Sequence, residues 1–209
     1  MLSIIIPTYN ESEVIISTIK SIEQVMPKRQ SYEIIVADDN SPDKTWKIVQ
    51  EYGKKHPRVK VLRRMKDKGL SKSVVDGFDH AKGDFLLVID ADGQHDENAI
   101  PQMVEQAKTA DVVVASRFIK GGGVSNWSKS RLLISRSFSL LSKPLLRAKT
   151  TDPMSGFFLV KKKLYETVKD NLDLRGYKIL LAILFASQHH KKPKVKEVPY
   201  VFRPREQGT

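Results

Sequence analysis

The sequence predicts an α/β fold with a mostly parallel central sheet flanked by helices, and three observations carry that expectation. Four short runs rich in Ile, Val and Leu, at Leu2–Ile6, Ile34–Ala37, Val59–Leu62 and Phe85–Ile89, are apolar for most of their length rather than strictly alternating, with Ser3 and Lys60 the exceptions. Strands covered on both faces read this way. Amphipathic stretches of helical period separate the runs, and polar or turn residues follow most of them directly. The β-α-β-α-β-α-β rhythm implies right-handed crossovers and a doubly wound sheet, whose ligand lies beyond the carboxyl ends of its strands.

Between the first two runs, Val14, Ile15, Thr18, Ile19, Ile22, Val25 and Met26 form one apolar face of a helix over Glu13–Met26. Asn10 or Ser12 is placed to cap it and Pro27 to stop it. Ser41-Pro42-Asp43 reads as cap and first turn of a second helix that runs to about Tyr52 and stops at Gly53. A third is expected over Ser71–His80, closed by Lys82-Gly83. After about residue 98 the order changes. Val112–Ala115 reads as another core strand, Gly121-Gly122-Gly123 as a flexible loop, and Ser130–Arg147 as a basic amphipathic segment. Phe157–Val160 is expected as a strand, Gly176–His189 as an apolar-rich helix, and Glu197–Phe202 as the last strand. No repeat, low-complexity tract or linker divides the chain.

The 209 residues suffice for a substantial core, and 40% hydrophobic with 29% charged residues argues against disorder. The 36 Lys+Arg against 24 Asp+Glu leave a formal charge of +12. That excess points to nucleic acid, anionic lipid headgroups or phosphorylated substrates. The absence of cysteine excludes disulfides, thiolate zinc sites and a cysteine nucleophile, and fits a reducing compartment. Met1–Pro7 has no basic leader, and its apolar run is too short for a signal peptide. The longest apolar stretch, Ile179–Ala186, is much shorter than the roughly 20 residues that span a bilayer. The chain stops at Glu206-Gln207-Gly208-Thr209 after a strand-like segment, so a longer natural protein is expected, one that could carry a C-terminal membrane segment.

The most informative segment is Asp84-Phe85-Leu86-Leu87-Val88-Ile89-Asp90-Ala91-Asp92-Gly93-Gln94-His95. A buried strand runs straight into two carboxylates and then an amide. In extended geometry Asp90, Asp92 and Gln94 point the same way. Three oxygen ligands there suit a hard divalent ion such as Mg²⁺ or Mn²⁺, with positions kept for substrate phosphate oxygens and water. A bare D-x-D also occurs as a solvated turn; the apolar strand, Gln94 and a second acidic strand end weigh against that. This second end is Asp38-Asp39-Asn40-Ser41, where an acid can accept hydrogen bonds from a base or ribose, alongside helix capping by Asn40 or Ser41. The first strand end, Pro7-Thr8-Tyr9-Asn10-Glu11, offers a ring and a carboxylate where a base can pack. Neither G-x-G-x-x-G nor a Walker A pattern follows any strand, so a diphosphate's charge falls to metal and basic side chains. His95 is placed to support the motif. His56, His80, His189 and His190 read as surface residues, and Lys161-Lys162-Lys163 as a solvated face.

Four motifs carry a resemblance: I-I-I-P-T-Y-N-E at 4–11, V-A-D-D-N-S-P-D at 36–43, D-A-D-G-Q-H at 90–95 and D-P-M-S-G-F-F at 152–158. Together they resemble the GT-A, family 2 glycosyltransferases and, within them, the dolichyl-phosphate (polyprenol monophosphate) mannose synthases. The first motif is common to many family 2 enzymes; all four in order are specific, and the likeness covers nearly the whole chain. It implies a GT-A catalytic domain over 1–209, with a nucleotide-binding half at 1–98. The acceptor-binding half at 99–209 would carry interfacial helices at about 130–147 and 176–190. The implied reaction moves mannose from GDP-mannose to dolichyl or another polyprenyl phosphate, with Mg²⁺ or Mn²⁺, at the cytoplasmic face of a membrane.

Residue by residue, Pro7, Tyr9, Glu11, Val36 and Asp38 match the family's nucleoside-holding positions. Asp90, Ala91, Asp92 and Gln94 match its metal and diphosphate site, with Asp92 and Gln94 as ligands. Arg117, Arg131 and Ser135 fall where the family binds the acceptor phosphate and the departing diphosphate, and Arg205 matches an arginine on the loop that closes over the donor. Asp90, Asp92, Arg117 and Arg131 are the catalytic candidates. Two departures stand out. The family usually has a bulky residue such as Leu where Gly93 stands. Its loop also continues past Gly208 into a Ser-Lys pair, so a chain ending at Thr209 is expected to bind donor yet turn over poorly.

An ionised phosphate acceptor needs positioning rather than a general base, and arginines supply forked, charge-assisted hydrogen bonds for that. Single displacement would invert an α-linked donor to a β-linked product. Without the family, Arg117 also reads as half of an ion pair with a nearby acid, and Arg131 as part of a solvated helix face. The segment Arg131–Arg147 interleaves Leu and Phe with Arg and Lys, which suits a headgroup region or an ordinary helix packed on the sheet. An acceptor that cannot leave its bilayer favours the former. Three alternatives remain: a polyprenyl-phosphate glucosyltransferase using UDP-glucose, an α/β phospho-receiver module, and a nucleic-acid-binding domain. The last lacks interleaved stacking aromatics, so no nucleic acid partner is expected.

Overall fold

A computed structural model describes residues 1–125, 146, 148–176, 178–190 and 192–204. In chain order the described elements are β1 (Leu2–Thr8), α1 (Ile15–Val25), β2 (Tyr32–Asp38), α2 (Thr45–Gly53), β3 (Val59–Arg63), α3 (Leu70–His80) and β4 (Phe85–Val88). Then follow α4 (Ile100–Ala107), β5 (Val112–Ser116), β6 (Gly123–Val124), β7 (Phe158–Lys161), α5 (Lys162–Val168), α6 (Ile179–Ser187), β8 (Val195–Pro199) and β9 (Val201–Phe202).

The sheet explains the continuous apolar runs. Leu2, Ile4 and Ile6 of β1 pack on one side with Ile15, Ile19 and Ile22 of α1, Val49 of α2 and Met103 of α4. Ile5 faces the other side, with Val74 and Phe78 of α3, Tyr165 of α5 and Ile183 of α6. Both faces are thus covered, which removes any reason for polar alternation. Strand order is β3-β2-β1-β4-β7-β5-β8, so one sheet runs through both halves of the chain. β1 pairs in parallel with β2 and β4, as β2 does with β3 and β5 with β8. β7 is antiparallel to both β4 and β5. Since β2 and β3 lie on one side of β1 and β4 on the other, the chain reverses its direction of build between β1 and β4. Sheets of this kind bind ligands at such a crevice.

Several local expectations change. Neither Asn10 nor Ser12 caps α1, whose N-cap is Val14 without a side-chain bond; the Glu11 carbonyl instead accepts the Val14 and Ile15 N–H groups. Helix α2 starts later than expected. Asp43 accepts from the Thr45 N–H and hydroxyl, while Ser41 is drawn away to Asp38. Gly123 of the triple glycine pairs with Val201 in a small parallel sheet of β6 and β9, and the expected last strand divides into β8 and β9 around Tyr200. Helix α5 emerges from the lysine run, where Lys162 Nζ donates to the Ala81 carbonyl at 2.7 Å and Lys161 pairs with Asp111 at 3.6 Å. Among the described residues no helix is long and apolar enough to cross a membrane.

Helix α3 lies close on β1 because Gly77 has no side chain: a Cβ there would meet Ile5 Cγ2 at 2.6 Å. Alanine gains roughly 0.5–1 kcal/mol over glycine inside a helix, but overpacking a closed core costs about 1–3 kcal/mol. Overpacking wins. Gly77→Ala should lower stability by about 1–2 kcal/mol in urea unfolding, against the direction that helix propensity alone gives.

Candidate active site

The ends of the first four strands meet at a cavity of about 470 Å³. Pro7, Thr8, Tyr9 and Glu11 enter from β1, Asp39 from just past β2, and Asp90, Ala91 and Asp92 from beyond β4. Lys68, Gly69, Leu70 and Ser73 complete the lining from the β3–α3 turn and the first turns of α3. The lysine and the turn around it had no place in the sequence argument. The available signal was Gly69 after the third strand end, at the side of the sheet where ligands bind.

The paired acids after β2 part company. Asp38, the last residue of β2, is fully buried and accepts hydrogen bonds from the Thr8 hydroxyl (3.0 Å), the Ser41 N–H (2.8 Å) and the Ser41 hydroxyl (2.6 Å). Val36, on the same side of the strand, is buried as well, and neither side chain lines the cavity. Asp39 does. It accepts from the Gly69 N–H at 2.7 Å and pairs with buried Arg64, which also donates to Asp76 at 2.6 Å and to the Asp67 carbonyl at 2.7 Å. Arg64 therefore fastens the β3–α3 turn to the end of β2. Tyr9 is 54% exposed at the mouth, with Lys68 Nζ 5.8 Å from its ring centre.

Beyond β4 the extended backbone does not persist. β4 stops at Val88, and Gly93 takes φ +70°, a left-handed conformation that glycine enters without steric cost. Asp90 and Asp92 both line the cavity, but Gln94 does not. Its backbone N–H donates to Asp92 Oδ1 at 3.1 Å, its side-chain amide donates to the Arg203 carbonyl at 3.1 Å, and its own carbonyl accepts from the Arg203 N–H at 2.7 Å. Arg203 also pairs with Asp96 at 2.6 Å and Glu97 at 3.4 Å. Burial raises the Glu97 carboxyl above its ordinary range, against the pull of Arg203. Among the described residues no group of three or more His, Asp or Glu is arranged to hold a metal ion. Two carboxylates at an open cavity still fit a hard divalent cation whose other ligands are phosphate oxygens and water.

At the end of β5, Arg117 donates to Asp152 from its backbone N–H (3.3 Å), Nε (2.7 Å) and Nη2 (2.7 Å). The Asp152 side chain is fully buried and that of Arg117 only 10% exposed. Burial works against the guanidinium charge, but the hydrogen bonds and charge of Asp152 more than offset it, raising the Arg117 pKa further. The expected ion pair with a nearby acid thus has its partner, in the fourth motif. Arg131, Ser135, Arg205 and the segment 130–145 lie outside the described residues. In the expected interfacial stretch at 176–190, Ile179, Leu180, Ile183 and Leu184 of α6 are buried, while Phe185 is 48% exposed.

Removing one partner of a buried ion pair costs about 3–5 kcal/mol, because the other charge is left uncompensated. Asp152→Asn, which keeps the shape and loses the charge, should lower unfolding stability by about 3 kcal/mol in urea titration.

The chain is similar to known proteins in sequence and in fold. A family model described as glycosyl transferase family 2 matches residues 3–169. The dolichol-phosphate mannosyltransferase of Pyrococcus furiosus is 43% identical over 99% of the chain, which spans 57% of that relative's length. The undecaprenyl-phosphate mannosyltransferase of Micrococcus luteus is 33% identical over 98% of the chain and 84% of its own. Among solved structures, a mannosyltransferase from Pyrobaculum calidifontis in complex with GDP-Man and Mn²⁺ superposes with a TM-score of 0.69 at 18% identity, covering 98% of this chain and 56% of that one. Glucosyl-3-phosphoglycerate synthase from Mycobacterium tuberculosis, with Mn²⁺ and UDP, gives 0.75 at 19% identity, over 100% of this chain and 73% of that one. The architecture is that of the GT-A glycosyltransferases, and with the model matched along most of its length the chain belongs to glycosyl transferase family 2.

Proposed function

We propose that this chain transfers mannose from GDP-mannose to a polyprenyl phosphate such as dolichyl phosphate, using Mg²⁺ or Mn²⁺, at the cytoplasmic surface of a membrane. The observation that carries the reading is the meeting of Asp90 and Asp92 with Tyr9, Asp39 and Lys68 around one cavity at the reversal point of the sheet. The relatives from P. furiosus and M. luteus are named as polyprenol-phosphate mannosyltransferases, which supports the acceptor class. GDP-Man and Mn²⁺ in the P. calidifontis structure support the donor and the metal.

In this reading the nucleoside packs against Tyr9, between Pro7, Glu11 and Asp39, with Lys68 available to the diphosphate. Val36 and Asp38 shape that pocket from behind: Asp38 fixes Thr8 and Ser41 rather than touching the base. Asp90, Ala91 and Asp92 face the diphosphate, and Asp90 and Asp92 would hold the cation; Gln94, the other expected ligand, has its amide turned towards Arg203. A divalent ion bound there supplies positive charge against the negative charge that gathers on the leaving diphosphate.

The acceptor phosphate brings its own nucleophile. A phosphate monoester has its second pKa at about 6, so its oxygen is anionic near neutral pH and no general base is needed. Its oxygen forms the new bond to the anomeric carbon while the bond from that carbon to the GDP oxygen breaks on the opposite face, which inverts the α linkage to β. Arg117, with Arg131 and Ser135, would bind the acceptor phosphate. Asp152 holds the Arg117 guanidinium charged and in a fixed plane, so the incoming phosphate meets a preset fork. Arg205 would close over the donor. The +12 formal charge and the exposed Phe185 ring suit a lipid surface with anionic headgroups.

Incubation with GDP-[¹⁴C]mannose, a short-chain polyprenyl phosphate and Mn²⁺ should carry label into the organic phase. Asp92→Ala should lower that rate about 100-fold or more, and should also abolish Mn²⁺-dependent GDP binding in calorimetry, a readout that does not require turnover. Label arriving only from UDP-[¹⁴C]glucose would change the donor. No organic-phase label from either donor, with GDP binding intact, would remove the lipid acceptor.

A further inference from the structure

We infer that His95 is a positioning residue: its imidazole, donating from Nε2, holds the Asp90 carboxylate against the cavity wall, and the segment around β9 holds His95. The inference rests on the reading of Asp90 and Asp92 as the metal and diphosphate site.

His95 is 3% exposed, and its Nε2 lies 3.1 Å from Asp90 Oδ2. The other ring nitrogen, Nδ1, is buried with no hydrogen-bond partner among the described residues. Around it stand aromatic rings: Phe157 at 5.3 Å, Phe202 at 5.4 Å and Tyr200 at 5.5 Å between centroids. These surroundings choose the tautomer. A proton on Nδ1 would be buried among rings with no acceptor, and would leave the Nε2 lone pair facing a carboxylate; both arrangements cost free energy. A proton on Nε2 meets Asp90 instead, and Nδ1 is left as a bare acceptor, the less costly orphan.

The same carboxylate oxygen is confined from a second direction. A Cβ on Gly156 would sit 2.8 Å from Asp90 Oδ2, closer than real Cβ contacts allow. Oδ2 thus rests between the imidazole N–H and the bare Cα of Gly156, which sets the rotation of the carboxylate that lines the cavity. The aromatic box is in turn supplied partly by the last described strand. Tyr200 and Phe202 flank Val201 of β9, and the next residue, Arg203, exchanges two hydrogen bonds with Gln94. Docking of this segment is thereby transmitted to the rotamer of Asp90 through one imidazole.

Groups that orient a metal-binding carboxylate from behind typically change metal affinity 10- to 100-fold when removed. Mn²⁺ binding to the GDP-loaded protein, followed by electron paramagnetic resonance, reads this directly. His95→Phe fills the aromatic box but donates nothing, and should raise the Mn²⁺ dissociation constant about 10- to 100-fold with little change in melting temperature. His95→Gln, whose amide N–H reaches towards the Nε2 position, should restore much of the affinity; a purely space-filling role would favour Phe over Gln. Gly156→Ala should weaken Mn²⁺ binding with His95 intact. Independently of metal, ¹⁵N imidazole signals of the metal-free protein should show His95 protonated on Nε2. His95→Phe with unchanged Mn²⁺ affinity, beside an Asp92→Ala that loses it, would overturn the assignment, as would protonation on Nδ1. Failure of the unaltered chain to take up Mn²⁺ would sink the metal reading alone.

Discussion

Parallel pairing of β1 with β2 on one side and β4 on the other delivers their carboxyl ends to a common edge, and the acids that follow them arrive together. Asp38, Asp39, Asp90 and Asp92 would repel one another in a low-dielectric crevice if each were left to itself. The structure answers three of them in different ways. Asp38 is surrounded by hydroxyls and an N–H, Asp39 by a guanidinium and a backbone amide, and Asp90 by an imidazole. The consequence is a graded edge, with Asp38 and Asp39 each met by several protein donors towards β2 and Asp90 by a single imidazole towards β4. That gradient fits the proposed donor, with a neutral base at one end and a charged diphosphate at the other.

Much of the fold was legible because burial on both faces writes itself into continuous Ile, Val and Leu, and because α1 and α3 carry a clean 3.6-residue stripe. Less legible were elements whose partners are remote. β7 enters the sheet between β4 and β5 with reversed direction, and nothing local to Phe158–Lys161 announces that. Helix α5 begins inside a lysine run that reads as solvated surface, until Lys162 finds the Ala81 carbonyl.

The site divides along the same line. The carboxylates of Asp90 and Asp92 could be placed from the strand before them, since a core strand must end where the sheet does. The direction of Gln94 could not, because Gly93 turns the backbone out of the extended conformation and breaks the two-residue alternation. Period two does separate Asp38 from Asp39: Val36 and Asp38 share a buried side, so the next residue is the one that turns to the cavity. Arg64 with Asp39, and Arg117 with Asp152, are pairings across 25 and 35 residues. Sequence spacing carries no trace of them, although the acid of the second pair stands first in a recognisable motif.

The reversed direction of β7 has a mechanical effect on the whole crevice. An antiparallel strand brings its beginning, rather than its end, to the edge where its parallel neighbours finish. The short approach to β7 therefore abuts the carboxylate of Asp90 through Gly156 and grips the guanidinium of Arg117 through Asp152. These two contacts are four residues apart on one piece of backbone, so a sideways slip of that piece cannot disturb the Asp90 contact and spare the Arg117 one.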